Sequence, residues 1–173
     1  MRNLVLSVIG DDRPGLVSAL ADAVAGQGGN WESSQLARLA GKFAGIVVVA
    51  VPQERADDLI AAVTGLAGLL EVQVHPGDGA AVPTEAWRAL TIEVLGNDRP
   101  GIVHELSAAL SRSGASIEKL TTGTRQAPMA GGTLFEARLE VLLPPGTESA
   151  TVRADLERIA GELLVDLDID GTD

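Results

Sequence analysis

The sequence predicts an α+β fold of two tandem ferredoxin-like βαββαβ modules, each an antiparallel four-stranded sheet with two helices on one face. Three observations carry this expectation. The chain repeats itself: Leu4-Val-Leu-Ser-Val-Ile-Gly-Asp-Asp-Arg-Pro-Gly-Leu-Val17 returns 86 residues later as Leu90-Thr-Ile-Glu-Val-Leu-Gly-Asn-Asp-Arg-Pro-Gly-Ile-Val103, and 12 of the 29 positions over residues 4–32 are identical. Each copy runs through stretches of period 2 and period 3.6 in the same order. Pro76-Gly-Asp-Gly-Ala-Ala-Val-Pro83 breaks the pattern between the copies. The expected division is a first module over 1–76, a linker over 77–83 and a second module over 84–173.

The first strand of each copy alternates, with Leu4, Leu6 and Val8, or Leu90, Ile92 and Val94, on one face. Asp-Arg-Pro-Gly then opens a helix. Asp12 or Asp98 suits its cap and Pro14 or Pro100 its first turn. Val17, Leu20 and Val24, or Val103, Leu106 and Leu110, follow at helical spacing, and Gly28 and Gly114 end these helices. Two strands come next. They cover Trp31–Leu39 and Phe43–Val51 in the first copy, and Ile117–Arg125 and Thr133–Leu143, joined by the longer Gln126–Gly132, in the second. A second helix carries Leu59, Ile60, Val63 and Leu66, or Val152, Leu156, Ile159 and Leu163. The last strand sets Leu70, Val72 and Val74, or Val165, Leu167 and Ile169, against polar neighbours.

Composition narrows the function. With 13 Lys+Arg against 24 Asp+Glu the net charge is −11, and both halves are acidic. Nucleic-acid affinity comes largely from neutralised phosphates, so direct nucleic-acid binding is not expected. The absence of cysteine excludes disulfides, thiolate metal sites and a cysteine nucleophile, and fits a reducing compartment. The opening apolar run, Leu4–Ile9, is short for a signal peptide. No stretch approaches the ~18 apolar residues of a membrane span. A cytoplasmic protein without membrane association is expected.

The most informative element is the turn Gly10-Asp11-Asp12-Arg13-Pro14-Gly15 and its copy Gly96-Asn97-Asp98-Arg99-Pro100-Gly101. A helix start presents unpaired N–H groups with partial positive charge, where a carboxylate can dock. A glycine admits close approach, and an Asp or Asn side chain can accept from an ammonium group. Together these suit an amino acid. The same tetrapeptide is a good helix start with no ligand at all, and the residues alone leave both readings open.

This strand–turn–helix entry within a βαββαβ repeat resembles the ACT domain family over residues 3–170, and two such domains with nothing else resemble stand-alone tandem-ACT regulators. The resemblance implies an effector amino acid, glycine- or serine-like, bound where two modules meet. It implies contacts from Asp11, Asp12, Gly15 and Leu16, from Asn97, Asp98, Gly101 and Ile102, and from the start of the second strand, Asn30 in one copy and Ser116 in the other. It also implies a protein partner, either a transcription factor or a metabolic enzyme. Separately, an open sheet edge or helix face on each module invites pairing, so the two copies are expected to pack on each other, within one chain or between chains, and a homo-oligomer is expected.

Other constellations carry less. His75 and His104 have no metal-ligand spacing around them, though His104 lies about one turn from the second motif. Asp166, Asp168 and Asp170 share a strand face without calcium-loop spacing. Glu32 and Glu118 match across the repeat, facing either a ligand or solvent. Trp31 and Trp87 suit gaps between modules. No nucleophile–base set, phosphate loop or dinucleotide fingerprint occurs, so no enzymatic activity, cofactor or metal is expected.

Overall fold

The first strand of each copy pairs on both sides, because its alternating apolar face and extended length make it the natural centre of a sheet. A computed structural model describes residues 1–77, 87–127 and 131–170. The chain falls into two compact units, Met1–Ala80 and Ala81–Asp173. Of the expected linker, only Gly77 lies among the described residues, where its N–H donates to the Asn3 carbonyl at 2.9 Å.

The first unit runs β1 (Arg2–Asp11), α1 (Leu16–Gly26), β2 (Asn30–Leu39), β3 (Lys42–Val51), a short 3-10 turn (Gln53–Arg55), α2 (Ala56–Thr64) and β4 (Glu71–Pro76). The second runs β5 (Arg88–Asn97), α3 (Ile102–Arg112), β6 (Ser116–Gln126), β7 (Thr133–Leu143), α4 (Ser149–Leu163) and β8 (Val165–Asp170). The sheets have strand orders β2-β3-β1-β4 and β6-β7-β5-β8, with every neighbour antiparallel. These are the two tandem ferredoxin-like modules that the repeat predicts.

Each module has its own core. Leu4, Leu6 and Val8 of β1 and Val47, Val49 and Val51 of β3 pack with Leu16, Leu20, Val24, Leu59 and Val63 of the helices. Leu90, Ile92 and Val94 pack equivalently with Ile102, Leu106, Leu110, Val152, Leu156 and Leu163. Trp31, expected to fill a gap between modules, packs against the core of its own module.

Two details of the helices differ from expectation. The buried stripe of α1 is Leu16, Leu20 and Val24, and that of α3 begins at Ile102, while Val17 and Val103 are exposed. The α2 helix ends at Thr64, so Leu66 lies in the following turn. The closing glycines stand where expected. Gly28 and Gly114 take φ of 69° and 71°, and bonds from Gly29 to Val24 and from Ala115 to Leu110 complete Schellman motifs.

Candidate functional site

In both modules a backbone bond ties the turn after the first strand to the facing strand's approach. The Asp12 N–H donates to the Gly41 carbonyl at 2.9 Å, and the Asp98 N–H to the Thr133 carbonyl at 2.8 Å. The helices then begin at Leu16 and Ile102, later than the aspartates. Capping by Asp12 and Asp98 is therefore corrected: neither helix has a side-chain cap, and Gly15 (φ 94°) and Gly101 (φ 99°) hold the N-cap positions. That backbone conformation is strained for any residue with a Cβ. Pro14 and Pro100 lie in the turn ahead of the helix. The freed Asp12 carboxylate accepts from Arg38 at 3.4 Å.

The motif's glycines have separate jobs. A Cβ at Gly15 would meet nothing within 4 Å, so this turn is open to an approaching molecule. A Cβ at Gly10 would stand 2.6 Å from the Leu69 carbonyl oxygen, and one at Gly96 would stand 2.4 Å from Val165. Those two are glycine because the fourth strand's approach crosses there. The motif's arginine was not singled out by sequence reasoning. Arg13 donates to the Gly68 carbonyl at 2.6 Å and Arg99 to the Leu163 carbonyl at 3.4 Å, tying the turn to the segment before the fourth strand in both modules.

Beside the first turn lies a cavity of about 270 Å³, lined by Ile9, Gly10, Asp11, Lys42, Gly68, Leu69, Leu70 and Glu71. Lys42 pairs with Asp11 across the sheet. The hydrogen bond and charge of the Lys42 ammonium hold the Asp11 carboxyl below its ordinary value, and Asp11 in turn raises Lys42. A cation and two carboxylates around this space can meet both ends of a zwitterion. Sequence reasoning missed Lys42 and Glu71. In the second module Leu134 and Asn97 occupy the same rung of the ladder, so that turn lacks the cation.

The start of the second strand lies elsewhere. Asn30 pairs with Ala50, which pairs with Asn3, whereas Asp11 pairs with Lys42 at the other end of β1. Eight residues of strand separate the two levels, about 26 Å at ~3.3 Å per residue. Ser116 and Asn97 are separated in the same way, through Leu142 and Ala89. Within one module, Asn30 cannot share a small ligand with Asp11, Asp12, Gly15 and Leu16, nor Ser116 with Asn97, Asp98, Gly101 and Ile102.

Glu32 and Glu118 sit at matching β-bulges and are exposed, with the Ser116 hydroxyl donating to Glu118 at 3.2 Å. His104 is exposed on α3, and His75 lies 3.4 Å from the Ser7 hydroxyl. Among the described residues no cluster of three or more His, Asp or Glu is placed to hold a metal ion, and no helix is long and apolar enough to cross a membrane. A larger cavity, about 500 Å³, opens on the second sheet between the ion pairs Arg125–Glu136 and Arg138–Glu93. It comes as near to the second motif as Leu95, but Asn97, Asp98 and Gly101 are not among its lining residues, whereas Gly10 and Asp11 of the first motif line the smaller cavity, which is the better candidate.

The family model described as "ACT domain" matches residues 2–76 and 88–170. The chain belongs to the ACT domain family. Both ACT modules align with a crystal structure of a protein of unknown function from Galdieria sulphuraria, at 31% identity, 99% coverage of each chain and a TM-score of 0.88. A second solved structure, of a protein suggested to be a glycine cleavage system transcriptional repressor, shares the fold at 15% identity, a TM-score of 0.68 and coverage of 99% of this chain and 97% of that one. No curated protein matches the chain significantly. ACT domains are in general regulatory and bind amino acids, which places this tandem-ACT protein among regulatory proteins.

Proposed function

We propose that this protein is a non-catalytic regulator that binds a small amino acid, glycine- or serine-like, where two ACT modules meet, and acts through a protein partner in transcriptional control of amino-acid metabolism. The observation that carries the reading is the ACT match in both halves of the chain. The separation of Asn30 from Asp11 supports it further. A ligand contacted by a turn and by the start of a second strand requires two modules, and its binding energy would then bias how those modules associate. The likeness to the suggested glycine cleavage repressor supports the transcriptional role. The net charge of −11 favours a protein partner over direct contact with phosphate backbones.

Calorimetric titration of the twenty amino acids into the full chain tests the reading. Saturable binding of glycine, serine or another small amino acid is expected, and silence across the panel would refute it. Affinity capture with and without the bound amino acid then identifies the partner. A DNA-binding protein is expected; recovery of an amino-acid biosynthetic enzyme would make the chain that enzyme's regulatory subunit instead.

A further inference from the structure

The larger cavity, about 500 Å³, takes no part in the reading above. It opens on the sheet face of the second module that is turned away from its helices. Three ion pairs cross that face, Arg138–Glu93, Lys119–Glu140 and Arg125–Glu136. Three further carboxylates, Asp166, Asp168 and Asp170, stand in one row along β8, opposite Leu95, Glu93 and Thr91. All three are exposed, and none pairs with a cation among the described residues. In the first module the matching row reads Glu71, Gln73 and His75, and its charged Asp11, Lys42 and Glu71 gather at the end beside the turn. The acidic row thus belongs to the second module alone. The cavity beside it has a low floor. On the rung that ends in Asp166, Gly123 supplies no side chain and Leu95 an apolar, partly exposed one.

We propose that this face docks an extended segment of a partner protein that carries Lys or Arg at alternate positions. Charge complementarity selects the occupant. The cations of the face are already paired while three carboxylates are not, so a cationic partner gains attraction and an anionic one meets repulsion. An apolar lid would strip water from the ion pairs and return nothing to them. Spacing selects the extended form. The carboxylates recur at every second residue of β8, ~6.6 Å apart, which is also the repeat of alternate side chains in an extended chain. Such a segment sets one cation against each carboxylate, whereas a small cation reaches only part of a row ~13 Å long. The floor at Gly123 and Leu95 suits the apolar stem of an Arg or Lys whose charged head reaches Asp166 and Asp168. This rests on the protein partner of the reading above and names its chemistry; it does not depend on amino-acid binding at the turns.

The test uses the full chain and a labelled synthetic peptide of alternating threonine and arginine, read by fluorescence anisotropy at ~0.15 M salt. Saturable binding is expected. Asp166→Asn combined with Asp168→Asn should weaken it about 10-fold, as two ion pairs are lost. Asp155→Asn combined with Glu157→Gln removes the same charge from exposed positions of α4, on the other side of the sheet, and should leave binding within about twofold. A Cβ at Gly123 would stand 3.5 Å from Glu136, an ordinary contact, so Gly123→Val should keep the parent's melting curve while filling the floor. It should weaken binding at least ~3-fold. A peptide of the same composition with its arginines contiguous should bind more weakly, because only every second one faces the row. Absence of binding would overturn the proposal. So would equal losses in the two double variants, a Gly123→Val variant that stays folded and binds like the parent, or equal affinity for the two peptides. Spermidine that matched the peptide's affinity and displaced it would make the occupant a small cation and overturn the assignment to a partner protein.

Discussion

Lys42 donates a hydrogen bond to the Asp11 carboxylate across the β1–β3 ladder, while the same rung of the second module joins Leu134 to Asn97. Asp11 is held below its ordinary value by Lys42, so its share of stability is present above ~3.9 and is lost as pH falls through its lowered folded pKa. Lys42 is raised, so its share is present below ~10.4 and is lost as pH rises through its raised folded pKa. The pair is therefore intact across neutral pH, and because both groups are exposed it is open to screening by salt. Carboxyl-carbon NMR should show Asp11 titrating at higher pH in Lys42→Met than in the parent. Salt at ~1 M should shift the parent in the same direction. An unchanged Asp11 titration would mean the pair does not form in solution.

The two turns should differ in affinity. Loss of a hydrogen bond to a charged ligand group costs ~1.5–3 kcal/mol, or roughly 10- to 150-fold in affinity. Asn30→Ala should weaken amino-acid binding by that order, and Ser116→Ala, with a shorter side chain lost, by less. Calorimetry on the two variants, with melting curves as a folding control, decides between them. Stronger weakening by Ser116→Ala would reverse the assignment. Copying the second module's rung through Asp11→Asn with Lys42→Leu should also weaken binding if the first turn's cavity takes the effector.

The motif glycines should fail in different ways. Gly15→Ala meets no atom within 4 Å and forces only the left-handed backbone, a cost of ~1–2 kcal/mol. Gly10→Ala drives a methyl group against the Leu69 carbonyl, so overpacking should cost ~1–3 kcal/mol, with movement of the segment ahead of β4. Denaturant melts give both values. Amide shifts confined to the turn are expected for Gly15→Ala, and shifts reaching Leu69 and Leu70 for Gly10→Ala.

Leu164 ends α4 with φ 55° and is 81% exposed. Its side chain contributes little packing while its backbone bears the strain of a non-glycine left-handed residue. Leu164→Gly should stabilise the second module by about 0.5–1 kcal/mol, the relief partly offset by the added freedom of the unfolded chain. A lower thermal midpoint in a calorimetric scan would contradict this.

The sequence by itself determined the repeat, the order of elements, the alternation of Leu4, Leu6 and Val8, and the Schellman glycines Gly28 and Gly114. Each of these depends on residues near one another along the chain. A difference in β3 was also legible: Ile46-Val-Val-Val49 is apolar on both faces, whereas Phe135-Glu-Ala-Arg-Leu-Glu-Val141 alternates. Only the tertiary structure decided the rest. Which residue of Asp-Arg-Pro-Gly caps the helix depended on where the chain could take a left-handed turn, and Gly15 rather than Asp12 does so. Arg13 reaches Gly68, 55 residues away, and Lys42 reaches Asp11 through strand register. Asn30 and Asp11 stand at opposite ends of one module's sheet, so a small ligand touching both kinds of position must lie where two modules meet, because an antiparallel ladder sets distance by pairing and not by order along the chain.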